Sequence, residues 1–470
     1  MPNEQTHQAE HIVREYLTEE STTAIPIVPL SRGFIKEWLA GESADVAAWV
    51  EASGFTAEAG HICLLPGANG RLDRVLFGRD EDDPWTWAHL PAKLPKGVYR
   101  IATALDAADA DWAAVGWSLA CYQFIRYQSR KGRDWPTLVW PAAARRDQVV
   151  LTVEAQCLVR DLVNTPSADM GPEELAGAAS ALALRTGGQI RTIVGDDLLQ
   201  EGYPAIHAVG RASTRAPRLI DLKWGDENAP KVTLVGKGVC FDSGGLDLKG
   251  ASNMKLMKKD MGGAAHVLAL ASMIVAAKIP VRLRVLIPAV ENSVSGNAFR
   301  PLDVLSTRKG LTVEVGNTDA EGRLILADAL AEGDREKPDL LIDLATLTGA
   351  ARTALGPDLP AMFSPNDELA TDILAAADDA KDPIWRLPLW KNYRRLLDSK
   401  IADINNASDT AYAGAITAAL FLQEFVSPAT PWVHFDIFAW NPTARPGRPE
   451  GGEAMAIRAL YRMIAHRHPL

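Results

Sequence analysis

The stretch from Val313 to Leu330 restricts the fold of this chain more than any other. An apolar, strand-like run (Leu311 to Val315) breaks at Gly316-Asn317, presents Asp319, Glu321 and Arg323 on alternate residues, and becomes an Ala/Leu-rich helical pattern. In open α/β sheets ligands sit outside the carboxyl ends of strands, so a loop of this kind is expected to border a site. Taken alone, three charges in a loop also suit a solvated turn. A second stretch weighs against that reading. Val235 to Lys249 again follows a β-type run and sets Lys237, Asp242 and Lys249 among glycines, of which Gly244 and Gly245 let the backbone turn sharply. Asn253 to Ala265 then opens a helix whose first turns hold Asp260. Lysines and carboxylates in apolar, glycine-rich surroundings are costly unless paired or metal-bound.

The same alternation extends along most of the chain. Strand patterns at Gln189–Val194, Arg218–Lys223, Lys231–Val235, Val281–Val290, Leu311–Val315, Leu340–Leu344 and Trp432–Phe438 are interleaved with Ala-rich helical patterns, including Met261–Ala277 and Leu324–Gly333. This predicts an α/β fold: a mostly parallel mixed sheet covered by helices on both faces. Ahead of it, residues 1–145 read as a smaller N-terminal α/β domain. Strands are expected at Ala24–Leu30 and His61–Leu65 and helices at Phe34–Val50 and Asp109–Tyr127. Eight of the 13 Trp fall between Trp38 and Trp140, which is expected of core and interface packing. The turn-rich segment Arg126–Pro136 precedes the boundary, and residues 146–470 are expected to form a second, larger domain. A helix from Arg145 to Leu162 leads into it, and Pro172 starts another.

Composition excludes some classes. A net charge of -10 argues against polyanion binding as the main activity, because that needs Lys and Arg to neutralise phosphates. No run of 18 apolar residues is present, so no membrane span is expected. The polar, acidic start lacks the apolar core of a secretory leader. Cys63, Cys121, Cys157 and Cys240 are widely spaced, which suggests neither a thiolate zinc site nor a disulfide framework and fits a reducing cytoplasm.

The run Asn317-Thr-Asp-Ala-Glu-Gly-Arg-Leu324, the block Val235 to Gly263, and the segments Arg160–Pro166, Glu291–Pro301, Leu344–Ala350 and Ala413–Ala419 together resemble the leucyl aminopeptidases of the cytosol aminopeptidase family, two-metal exopeptidases. The resemblance covers roughly residues 150 to 470. It implies a dinuclear site in which Asp242, Asp319 and Glu321 hold one ion and Lys237, Asp242, Asp260 and Glu321 the other. Oxygen-rich ligation suits Zn or Mn, with Mg and Co as further candidates. Two such ions lower the pKa of a shared water and polarise a carbonyl, and a free substrate α-amine can bind one of them. A lysine ligand must be neutral, driven there by burial and the adjacent cations. The resemblance further implies Lys249 as the oxyanion donor, Arg323 as the holder of a bicarbonate general base, and a side-chain pocket including Met257, Thr346 and Gly349. One departure concerns Phe438: many members have a small Ala-Gly pair in the region His434–Asn441, so this ring is expected to intrude on the pocket. Peptide substrates with a free N-terminus and a homohexamer with its N-terminal domains outermost are likewise implied. His266 is expected in the core, Cys240 as a packed thiol pointing the same way as Asp242, and Asp343 as hydrogen-bonded support. The rival readings are a non-enzymatic scaffold or DNA-binding protein on this fold, and a two-metal phosphoesterase.

Overall fold

The structure is a computed structural model that describes residues 7–67, 70–129 and 132–469, the side chains of 7–11 excepted. The polar start of the chain and Arg130-Lys131 of the turn-rich segment lie outside these residues. Contacts divide the chain into two units, one of residues 1–157 with 443–450 and one of 158–442 with 451–470. The division falls inside the helix Arg146–Asn164, whose first half places Val149 and Val153 in the core of the first unit.

The first unit is built on a six-stranded sheet in the order Leu17–Thr18, Thr137–Val139, Val98–Ile101, Ile25–Leu30, Leu72–Gly78, Ile62–Pro66. All neighbours are parallel except the last pair. Trp87 and Trp117 are fully buried against Phe77 and Tyr99, so much of the indole cluster is core. The expected helix Phe34–Val50 is two helices, Ile35–Ala40 and Ala44–Ala52. Gly41 ends the first, and Ser43 caps the second by accepting from Val46 N. The helix expected at Asp109–Tyr127 runs instead over Ala107–Ala120. Asp106 caps it by accepting from Asp109 N (2.8 Å), and beyond its end Gln123 is pinned to the backbone of Arg133.

The second unit carries a nine-stranded mixed sheet. Its path is Trp385–Arg386, Ala361–Phe363, Trp432–Asp436, Leu340–Ala345, Lys231–Gly236, Arg282–Asn292, Arg218–Trp224, Gln189–Val194, with Gly238–Asp242 also paired to Arg282–Asn292. The central neighbours are parallel, as a chain alternating strand and helix requires. The sheet residues Val232, Leu234, Leu341 and Val433 are completely buried, and so is nearly all of the helix Gly262–Ala276.

One strand is placed differently from expectation. Leu311–Val315 does not join the main sheet; Thr312–Glu314 pairs with Val304–Ser306 and Ile404–Asn405 in a separate three-stranded sheet. The helix that follows, Glu321–Arg335, packs on the main sheet with Leu324 to Leu330 buried. Among the described residues no helix is long and apolar enough to cross a membrane.

Candidate metal centre

Three loop segments converge at one end of the parallel strands. Strand Gly238–Asp242 ends at Asp242 and passes into a glycine turn. Gly244 has φ +89°, and a Cβ there would lie 2.6 Å from Asp247 O, so no side chain fits. Thr318 locks this turn to the 316–320 segment. Its hydroxyl donates to Gly244 O (2.7 Å) and accepts from Asp247 N (2.8 Å), while Asp247 Oδ2 accepts from Thr318 N (2.8 Å). Asn292, at the end of its own strand, donates to both Asp242 Oδ1 (2.9 Å) and Thr318 O (3.1 Å). Asn406 fixes the remaining side by accepting from Gly316 N and Asn317 N and donating to Asn317 O. Nothing near Asn406 in sequence announces this role. Asn292 and Thr318 stand within the quoted runs but carry no charge to single them out.

Held this way, Asp242, Asp319 and Glu321 each bring one carboxylate oxygen within 4.8 Å of the others. Glu321 begins the helix Glu321–Arg335, whose positive N-terminal end favours negative charge. Asp260, in the turn Met257–Met261 ahead of the next helix, joins through Lys237, whose Nζ lies 2.7 Å from Asp260 Oδ2 and 2.9 Å from Glu321 Oε1. Lys237 also donates to Thr346 O (3.0 Å), and Thr346 Oγ1 donates to Asp260 Oδ1 (2.8 Å). A Cβ on Gly322 would lie 2.3 Å from Lys237 Cε, so a side chain there would push the Lys237 ammonium from this position. Lys249 Nζ forms the second bridge, 2.8 Å from Asp242 Oδ2 and 2.5 Å from Asp319 Oδ1.

The electrostatics of this group are unbalanced. The two bridging ammonium groups offset only two of the four carboxylates. Glu321 Oε2 is buried with no hydrogen-bond partner, and Asp260 Oδ2 and Asp319 Oδ1 are met only by the ammonium groups of Lys237 and Lys249. Burial, with Asp242 adding repulsion, raises Glu321 to about 8 and Asp319 to about 6. Burial also works against ionised Asp260, yet Lys237 and Lys259 hold its pKa below the ordinary value. Burial opposes the Lys237 ammonium too, and the carboxylates of Asp260, Glu321 and Asp242 outweigh it and raise its pKa. A neutral Lys237 therefore needs cations beside it, because burial alone is insufficient. A crowd of carboxylates that cannot all ionise, with a buried oxygen unsatisfied among them, is a donor set suited to divalent cations.

Arg323 is buried and donates from Nη1 to Asn406 O (2.7 Å), while its Nε has no partner. Burial lowers its pKa to about 10. Neither Arg323 nor Glu321 is among the residues lining the adjoining cavity of about 320 Å³. Lys237, Asp242, Lys249, Asp260 and Asp319 do line it, together with Met257, Thr346, Gly349 and Phe438. Asp436 shapes the cavity wall by accepting from Leu347 N, Thr348 N and Thr348 Oγ1. Lys259, buried beside Phe438, has its pKa lowered to about 8 by burial.

Three further residues take structural places. His266 is buried, its Nδ1 donating to Gly262 O (2.6 Å) and its Nε2 accepting from Met455 N (3.0 Å). The Cys240 thiol is buried, and a bulge between Val239 and Phe241 breaks the alternation that would have aligned it with Asp242. Asp343 is hydrogen-bonded within the sheet core, to Trp432 Nε1 (2.8 Å) and His434 Nδ1 (2.6 Å).

Residues 157–461 match the cytosol aminopeptidase family catalytic domain, and residues 25–141 the M17 aminopeptidase N-terminal domain. A "Probable cytosol aminopeptidase" of Leifsonia xyli is 38% identical over 455 residues, 90% of this chain and 91% of the relative. The crystal structure of a cytosol aminopeptidase from Coxiella burnetii is similar with a TM-score of 0.94 and 50% identity, covering 97% of this chain and 100% of that one. The bottromycin maturation enzyme BotP in complex with Mn is similar at a TM-score of 0.83 and 33% identity, with 95% of this chain and 100% of that one covered.

Proposed function

This chain belongs to the cytosol aminopeptidase family and is a metal-dependent exopeptidase acting on the N-terminal residue of peptides, and from that premise we propose how its residues divide the work. Asp242, Asp319 and Glu321 would hold one divalent cation, and Lys237, Asp242, Asp260 and Glu321 the second. The observation that carries this reading is the convergence of three carboxylates within reach of one ion, with Glu321 Oε2 buried and without a partner. When bound, the cations supply Lewis acidity toward a water and the scissile carbonyl.

The remaining steps belong to side chains. The Lys249 ammonium, at the cavity wall and raised in pKa by Asp242 and Asp319 against the effect of burial, would donate to the carbonyl oxygen as it gains negative charge. Arg323, a buried guanidinium with an unpaired Nε, would hold a bicarbonate, which would supply a general base there. Met257, Thr346, Gly349 and Phe438 would receive the first side chain. Mn or Zn is proposed as the resident metal; the Mn complex of BotP supports Mn. A homohexamer is proposed from family resemblance and is tested by a light-scattering mass. A cytoplasmic location is supported by the four cysteines, which are buried and not joined in disulfides.

Chelation should abolish hydrolysis of an aminoacyl anilide and added Mn or Zn should restore it, while Glu321→Ala should lose bound metal together with turnover. Full activity in exhaustively stripped protein would overturn the assignment. No turnover of an aryl phosphate is expected in parallel.

A further inference from the structure

The cavity has a second charged end, built unlike the first. Phe438 is half-buried in its wall, with Lys259 Nζ 5.1 Å from the ring centroid and Arg352 Cζ 4.8 Å from it. Lys259 is only 4% exposed, and among the described residues its side chain has neither a hydrogen bond nor an ion pair. Arg352, on the exposed side of the helix Gly349–Leu355, also lacks a carboxylate partner. The nearby acids are already engaged: Asp260 by Lys237 and Thr346, Asp436 by the backbone and hydroxyl of Leu347 and Thr348. An aromatic face attracts a cation but does not replace a counter-ion, and a buried cation without one is costly. Asp260 and Asp436 act on Lys259 through space only, and an anion that enters the cavity can pair with it directly. The first side chain of the substrate is the natural source, because Met257, Thr346 and Gly349 line the same space.

We propose that Lys259 and Arg352 form a subsite for a substrate carboxylate, so that this enzyme prefers peptides beginning with Glu or Asp over those beginning with the neutral isosteres Gln or Asn. The cations would meet the carboxylate beside the Phe438 ring, whose bulk replaces the room a long aliphatic side chain would need. A site built to pair a charged group rejects the analogue lacking it, since its own buried polar groups are then left unpaired. The inference rests on the exopeptidase reading of the same cavity.

The test is kcat/KM of the full-length, Mn-loaded protein on Glu-, Gln-, Asp-, Asn- and Leu-p-nitroanilides, with Leu-Gly and Leu-Gly-amide as a second arm. Glu over Gln and Asp over Asn should each exceed about tenfold. Lys259→Met and Arg352→Gln should each bring the Glu-to-Gln ratio toward one. Arg352 is exposed, so its variant keeps the test open if the Lys259 variant fails to fold. A wild-type Glu-to-Gln ratio near one, with Leu-anilide turned over, overturns the inference and leaves the exopeptidase reading intact. Discrimination of Leu-Gly from its amide, lost in Arg352→Gln, would instead assign the cations to the far end of the substrate and equally overturn it. Failure to cleave any of these substrates would overturn the reading beneath it.

Discussion

The two ends of the cavity solve the burial of charge in opposite ways. At the carboxylate-rich end Lys237 and Lys249 each bridge two carboxylates, and acid is in excess. At the Phe438 end Lys259 and Arg352 flank a ring, and among the described residues no carboxylate forms an ion pair with either. One end therefore calls for cations and the other for an anion. The cations would serve the chemistry common to every substrate, whereas a counter-charge selects among side chains. On the proposed roles, the lysines shared by carboxylates act on reaction rate and the unpaired one on preference.

The largest effect expected from this contrast is at Lys249. Removing a single oxyanion donor typically costs about 100- to 1,000-fold in turnover. Lys249→Ala should fall by that factor in kcat while retaining both metals by elemental analysis. Loss of metal with little direct effect on chemistry would exchange the roles of Lys237 and Lys249.

Next in size is a buried group that belongs to neither end. His266 is kept neutral, with a pKa lowered to about 4 by burial, and its hydrogen bonds serve the neutral ring. Between pH 4 and the ordinary value near 6.5 the unfolded chain binds a proton there that the folded chain does not. Stability from this residue is thus complete above about pH 6.5 and is lost as pH falls through that window, by up to about 3 kcal/mol. Urea titrations at pH 7 and pH 4.5 should show His266→Gln losing less stability on acidification than the parent. Equal losses would shift the acid sensitivity to the charged ends of the cavity, and the distinction between neutralised and paired burial would fail.

The smallest effect expected is at Phe438. Its ring is half-buried against the cavity, so Phe438→Ala should enlarge the space for the first side chain and raise the Leu-to-Ala efficiency ratio by at least about tenfold. A core ring would instead leave a void costing about 3 to 5 kcal/mol on truncation. An earlier melt with an unchanged ratio would remove Phe438 from the pocket.

Much of the site was legible before folding, because its signals are local. Glycines beside charged residues after a β-type run mark a sharp turn at a strand end. Asp242, Lys249, Asp319 and Glu321 could be singled out on those grounds, and the family resemblance supplied their roles. Strand and helix periods likewise predicted the main sheet, since each depends on neighbours a few residues away. Leu311–Val315 shows where this stops: its composition announces a strand, but its sheet depends on the distant Val304–Ser306 and Ile404–Asn405. The helical reading of Phe34–Val50 missed Ser43 as a cap for the same segment, a local signal overlooked rather than absent.

By itself, then, the sequence determined which residues could carry charge into the interior and which backbone turns would present them. The tertiary structure alone decided which charges meet. Asn406 reaches the signature loop from a remote segment, and Lys259, Arg352 and Phe438 come from three separate elements to share one wall. The physical reason is that backbone preference is settled over a few bonds, whereas the energy of a buried charge depends on distances in space that no local pattern encodes.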